Sequence, residues 1–170
     1  MKRWLGILLA GFSLSMLLGA CAKKPPAQAT DTVTDRKIPV GDVTEFYYTY
    51  ENINYNAFYQ RYRFWAEDGK HFFYHETRER PNDYGWTTEE DITASGTLAL
   101  GDDEWAQFTA LLKNGTVRAR TVSDEAGDSG PWLYLYWKGD KGTDQEFSFA
   151  SAEEEKAFEE FCAKLAKRAQ

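Results

Sequence analysis

The sequence predicts an α+β fold, an antiparallel sheet of five or six strands with two helices packed on one face. Three observations predict it. Runs rich in β-branched and aromatic residues recur along the chain between clusters of turn residues. Two stretches with helical spacing lie outside any strand–helix–strand alternation. Asp68-Gly69 falls between two long strand-like runs, where it supplies the positive φ angles of a two-residue hairpin turn.

The first strand is expected at Val43 to Tyr50 (VTEFYYTY), bounded by Gly41-Asp42 and an Asn-rich stretch. The hairpin follows, with Ala57 to Glu67 and Lys70 to Arg80 paired so that Trp65 faces Phe72, Arg63 faces Tyr74, Arg61 faces Glu76 and Tyr59 faces Arg78. On its other face lie Phe58, Tyr62, Phe64 and Phe73, with His75 opposite Tyr62. That second face is the more apolar and is the expected core. Pro81 to Asp91 is polar and turn-rich, so it reads as a surface loop, and Ile92 to Leu100 as a weaker strand.

Asp102, Asp103 and Glu104 place negative charge where a helix N-terminus favours it, and Trp105, Phe108, Leu111 and Leu112 follow at helical spacing up to Asn114-Gly115. A brief strand is expected at Val117 to Val122, then an acidic loop at Ser123 to Pro131. A second hairpin is expected from Trp132 to Lys138 and Gln145 to Ala150. Ser151-Ala152-Glu153-Glu154 has the spacing of a capping box. Behind it, Ala157, Phe158, Phe161, Cys162 and Leu165 form the apolar stripe of a last helix, which makes Cys162 a packing residue.

The chain of 170 residues carries 20 Lys plus Arg against 27 Asp plus Glu, a net charge of −7, which is a poor match for the phosphates of nucleic acid. Its start follows other rules. Lys2 and Arg3 precede an apolar run from Trp4 to Leu18 that is shorter than the roughly 20 residues of a membrane-spanning helix, as in a secretory signal. Leu18-Gly19-Ala20-Cys21 resembles the lipobox of bacterial lipoproteins. The resemblance implies cleavage before Cys21 and a diacylglyceryl group on its thiol, a membrane anchor on the extracytoplasmic side. In a Gram-negative source the protein would sit at the periplasmic face. Residues 22–38 (AKKPPAQATDTVTDRKI) show no hydrophobic period and read as a flexible tether of about 25 Å. The expected organisation is a signal peptide over 1–20, a lipidated Cys and tether over 21–38, and one α+β domain over 39–170.

From the order of the Gly41-Asp42-Val43-Thr44-Glu45-Phe46 opening, the Trp105 helix, the aromatic late strand and the capped last helix, the body loosely resembles uncharacterised lipoproteins of anaerobic Gram-positive bacteria. That resemblance implies attachment to the cell membrane and carries over no functional residue.

Signs of chemistry are few. Gly127-Asp128-Ser129-Gly130-Pro131 resembles the nucleophile block of chymotrypsin-like proteases but has one glycine before the proline where that family has two. Neither His71 nor His75 stands in the family's histidine motif. On one strand those two histidines would lie about 13 Å apart, so no metal site and no cofactor are expected. The acidic clusters lack the spacing of a calcium loop and read as solvated loops and a helix start.

What stands out is the polar-aromatic sheet face. Tyr59, Arg61, Arg63, Trp65, Phe72 and Tyr74, with Trp132, Tyr134 and Tyr136, would present flat rings beside guanidinium groups, suited to sugar rings, a peptide or a partner surface. The expected function is therefore a membrane-anchored, non-enzymatic binding module for a wall glycan, peptide or envelope protein. The alternatives are a small envelope hydrolase using carboxylates and a structural or assembly subunit.

Overall fold

The structure of the protein, a computed structural model, describes residues 27–119, 132–137 and 145–169, and within 132–137 the side chain of Leu133 alone. Its elements are β1 (Gln28–Asp31), β2 (Lys37–Pro39), β3 (Val43–Asn52), β4 (Ala57–Glu67), β5 (Lys70–Arg80), β6 (Ile92–Leu100), α1 (Asp102–Leu111), β7 (Thr116–Ala119), β8 (Trp132–Trp137), β9 (Gln145–Ser148) and α2 (Ala152–Ala166). The fold is α+β with two helices, as the sequence predicts.

The hairpin register is the expected one. Asp68 and Gly69 take φ values of 50° and 73°, the left-handed pair that matches the twist of the flanking strands. β4 and β5 then pair from Glu67↔Lys70 through Trp65↔Phe72 and Arg61↔Glu76 to Ala57↔Arg80. Phe64 and Phe73 face each other on the inner side of this ladder, and both are fully buried.

The strand count differs from expectation. Nine strands join in the order β2-β1-β7-β9-β8-β3-β4-β5-β6, where five or six were predicted. Among the described residues β8 and β9 pair through Tyr134↔Glu146 and Leu135↔Gln145. The sheet falls into a long-stranded wing (β3 to β6 with β8) and a short-stranded one (β1, β2, β7, β9). One pairing departs from the antiparallel rule, since β1 runs parallel to β7 through Thr30↔Thr116 and Asp31↔Val117.

Two of the added strands come from the expected tether. Gln28–Asp31 and Lys37–Pro39 pair as a hairpin that places Ala29 opposite Ile38, both in the core. The folded body thus begins before residue 39. Two apolar side chains in a polar segment give no period to read, but they suffice here because β7 supplies the backbone partners. The Asp31 carboxylate closes the β1–β2 turn by accepting from the Val33 and Thr34 amides at 2.9 and 3.1 Å.

Both helices cover the inner face. Phe64 stacks on Phe108 of α1 at 4.0 Å and lies 5.9 and 6.1 Å from Phe158 and Phe161 of α2. Phe46 adds edge contacts to Phe108, Phe147 and Phe158. Ser151 caps α2 by accepting from the Glu154 amide at 3.2 Å. The expected reciprocal bond is absent among the described residues, because the Glu154 carboxylate instead accepts from Asn114 Nδ2 at 2.6 Å. At its other end α2 closes on β6 at Gly96, where a Cβ would collide with the Ala169 carbonyl. His75 is buried opposite Gly96, and Cys162 is a buried free thiol on the α2 stripe. Among the described residues no helix is long and apolar enough to cross a membrane.

Candidate functional site

On the outer face of the long-stranded wing, the alternation that buries Phe46, Phe64 and Phe73 turns the intervening residues outward together. Six of the predicted site residues meet here: Tyr59, Arg61, Arg63 and Trp65 from β4, with Phe72 and Tyr74 from β5. Sequence reasoning missed three of their neighbours, Glu45, Tyr47 and Glu51 of β3. Trp132, Tyr134 and Tyr136 are paired through their backbone with Thr49, Tyr47 and Glu45, and their side chains lie outside the described residues.

The face is a ladder of cations and rings. The Arg63 guanidinium lies 4.7 Å from the Trp65 ring and 5.5 Å from Tyr47. Arg61 lies 5.3 Å from Tyr59 and 6.0 Å from Tyr47. Arg78 caps the other side of Tyr59 at 4.8 Å, and Trp65 stacks on Phe72 at 5.0 Å. Such pairs hold flat rings and guanidinium planes in fixed orientation.

The three arginines are not equivalent. Arg63 donates to Glu45 through Nε at 2.6 Å and Nη2 at 2.5 Å, and the same carboxylate accepts from the Tyr47 hydroxyl at 2.6 Å. Arg78 pairs with Glu76, which also accepts from the Tyr74 hydroxyl. Arg61 sits between these two neutralised pairs and makes no ion pair among the described residues, while its Nε is buried without a hydrogen-bond partner.

Burial varies along the ladder. Tyr59, Glu51 and Glu76 are buried, whereas Arg61, Arg63, Trp65, Phe72 and Tyr74 are half-buried. Burial raises the Glu51 carboxyl above the ordinary carboxylate range, opposed by the Arg78 and Arg61 charges. Burial and the bonds to their carboxylate neighbours push the Tyr47 and Tyr74 hydroxyls up to about 12. These phenols stay protonated at neutral pH and serve as donors.

Beyond the last row of the ladder the strands run into two interlocked turns. Ala57 N donates to Asp83 O at 3.3 Å, Gly85 N to Ile53 O at 2.8 Å, and Asn82 N to Asn56 Oδ1 at 2.9 Å. Positive φ values at Asn56, Asn82 and Gly85 permit this geometry. The result displays Tyr55, Tyr84 and Trp86, which are 49%, 64% and 59% exposed. The Pro81 to Asp91 loop expected from composition is thus a supported aromatic turn closed by a single 3-10 turn at Glu89–Asp91.

A second feature, absent from the sequence reading, lies on the inner face where α2 leaves the adjoining ends of β3 and β4 open. It is a groove of about 450 Å³ with a floor of Tyr48, Tyr50, Phe58 and Tyr62 and a rim of Lys156, Glu159 and Glu160. The Tyr48 hydroxyl donates to Glu159.

The other constellations disperse. His71 stacks on Trp105 of α1 at 4.2 Å, and His75 is buried in the Phe layer. Among the described residues, no three His, Cys, Asp or Glu side chains cluster in a metal-binding arrangement. Glu104 accepts from Gly101 N at 3.0 Å and pairs with Arg168, tying the start of α1 to the end of α2. The leader with Cys21, the Gly127 to Pro131 block and the acidic run over 140–144 lie outside the described residues. No protein-family model, curated protein or solved structure matches the chain.

Proposed function

We propose that the chain is a non-enzymatic module, anchored to the extracytoplasmic side of the cell membrane through Cys21, whose outer sheet face binds a linear wall glycan. The observation that carries this reading is Arg61, a cation flanked by Tyr47 and Tyr59 and without an ion-pair partner among the described residues, between two arginines that have one. The unpartnered Nε is itself buried, so a ligand meets the rest of this half-buried side chain, and oxygen-rich ligands suit a guanidinium there. From Trp65 to Ala57 the strip runs about 26 Å at 3.3 Å per residue, and at its far end it meets the exposed rings of Tyr55, Tyr84 and Trp86. An elongated row of rings and donors suits a chain of sugar residues better than a small compact ligand.

With Cys21 lipidated, residues 22–27 are all that separate the anchor from β1, at most about 21 Å of extended chain. The body is thereby held at the membrane surface facing the wall.

The test is cosedimentation of the full chain, in phosphatidylglycerol nanodiscs, with purified wall sacculi. Binding that falls at least about threefold in Arg61→Lys, which keeps the charge but loses the planar fork, supports the reading. Equal pelleting of both chains contradicts it, and binding that requires added envelope proteins moves the partner to the protein class. The anchor is tested by mass spectrometry of the membrane-extracted chain, where an unlipidated Cys21 contradicts it.

One observation favours the hydrolase alternative. Glu51, the carboxyl raised by burial, shares this face with Glu76. The two stand on β3 and β5, one row apart, with Tyr59 and Arg61 of β4 between them. Loss of glycan cleavage in Glu51→Gln would support the hydrolase; binding without turnover supports the module.

A further inference from the structure

We propose that the groove between α2 and the adjoining ends of β3 and β4 is a second binding site, selective for an alkylammonium group such as the end of a lysine-type side chain. Two properties point to that chemistry. The floor is aromatic, with Tyr50 and Phe58 at 6.2 Å and Tyr48 and Tyr62 at 5.8 Å between ring centroids, and aromatic walls attract cations through their quadrupole as well as burying methylenes. The rim is acidic, with Glu159 and Glu160 against Lys156 alone. Glu160 makes no hydrogen bond or ion pair among the described residues, although Lys156 lies one helical turn away. The long Lys156 stem lets its own ammonium stay in solvent.

Glu159 is held at the rim by the Tyr48 hydroxyl, which occupies its Oε1. On the floor, the Gln60 amide is already committed. It donates to Glu76 O at 2.9 Å and accepts from Thr77 Oγ1 at 3.0 Å. Recognition of a cation is thus left to the carboxylates and rings. An amine-bearing chain entering the groove lays its methylenes on Tyr50 and Phe58 and directs its ammonium to Glu160. The site is on the opposite face from Arg61 and has the opposite charge, so it stands or falls independently of the glycan strip.

The test uses the full chain, labelled with 3-fluorotyrosine and held in phosphatidylglycerol nanodiscs, with n-hexylammonium and 1-hexanol as probes and empty nanodiscs as blank. Tyr50→Phe assigns the Tyr50 resonance. The expected result is a saturable shift of that resonance with hexylammonium and at least about tenfold weaker binding of hexanol. In Glu160→Gln the amine affinity should fall about threefold while the resonance pattern of the unliganded chain is kept. An unmoved Tyr50 resonance at millimolar amine, or equal binding of amine and alcohol, overturns the proposal.

Discussion

The two faces of the β3–β4–β5 sheet are built from the same three strands and differ in what closes them. The inner face is closed by dispersion. Phe46, Phe64, Phe73, Phe108, Phe158 and Phe161 interlock with ring contacts between 4.0 and 6.1 Å, and this cluster leaves a ligand nothing; the inner face opens only beyond it, at the groove floored by Tyr50 and Phe58. The outer face is closed by charge and quadrupole. Glu45 serves Arg63, Glu76 serves Arg78, and tyrosines serve all three arginines. Among the described residues, Arg61 is the place where that pairing runs out. A face held by directional interactions retains donors wherever its partners are too few, and such a face is where recognition can occur without unfolding the core.

The largest expected effect comes from breaking the inner face. Phe64→Ala removes the ring that touches both helices and should cost about 3–5 kcal/mol, read as a shift of the urea unfolding midpoint. Gly96→Ala attacks the same face by overpacking. Its Cβ must displace the Ala169 backbone, and an expected cost of about 1–3 kcal/mol should appear with faster amide exchange in the last turn of α2.

Acid and base should separate the faces by sign. Burial lowers the His75 imidazole below its ordinary value of about 6.5, so the folded state binds the proton less well than the unfolded chain. Stability is then full above about pH 6.5 and declines as pH falls toward the lowered value. Glu51 acts in the opposite direction. Its raised carboxyl makes the folded state the better proton binder, so its contribution declines as pH rises through the window just above the ordinary carboxylate range. Thermal melts across pH should show the acid-side slope reduced in His75→Phe and the other slope reduced in Glu51→Gln. Unchanged slopes would contradict the assignment.

The smallest effect is expected at the rim of the outer face. The Arg63 and Glu45 side chains are 38% and 27% exposed, so solvent screens their pair, and Glu45→Gln should cost less than about 1 kcal/mol in the same unfolding measurement.

How much of this was legible follows from which residues carry local signals. The Asp68-Gly69 turn fixed the register of β4 and β5, and with it which residues share each face, because a two-residue loop leaves one pairing. Helix α1 was legible from Asp102, Trp105 and Phe108, which combine an acidic start with helical spacing. β1 and β2 were not, since Ala29 and Ile38 are buried by strands far along the chain and no local pattern records that. The candidate face was legible in its β4 and β5 residues. Tyr47, Glu45 and Glu51 were missed because β3 has no tight turn to fix its phase against β4. The α2 groove was illegible for a related reason: Tyr48, Tyr50 and Phe58 read as core, and only the path of α2 leaves them partly uncovered.

The central claim, that the outer face is a binding strip centred on Arg61, is tested most directly by a tryptophan-fluorescence titration of the full chain in nanodiscs with soluble wall-glycan fragments, comparing the parent with Trp65→Phe and Arg61→Lys. Trp65 lies on the strip beside Arg63. Glycan binding at the strip should give a saturable change that is largely lost in Trp65→Phe and shifted to weaker affinity in Arg61→Lys. A change that survives both substitutions, or no change at millimolar glycan, would contradict it.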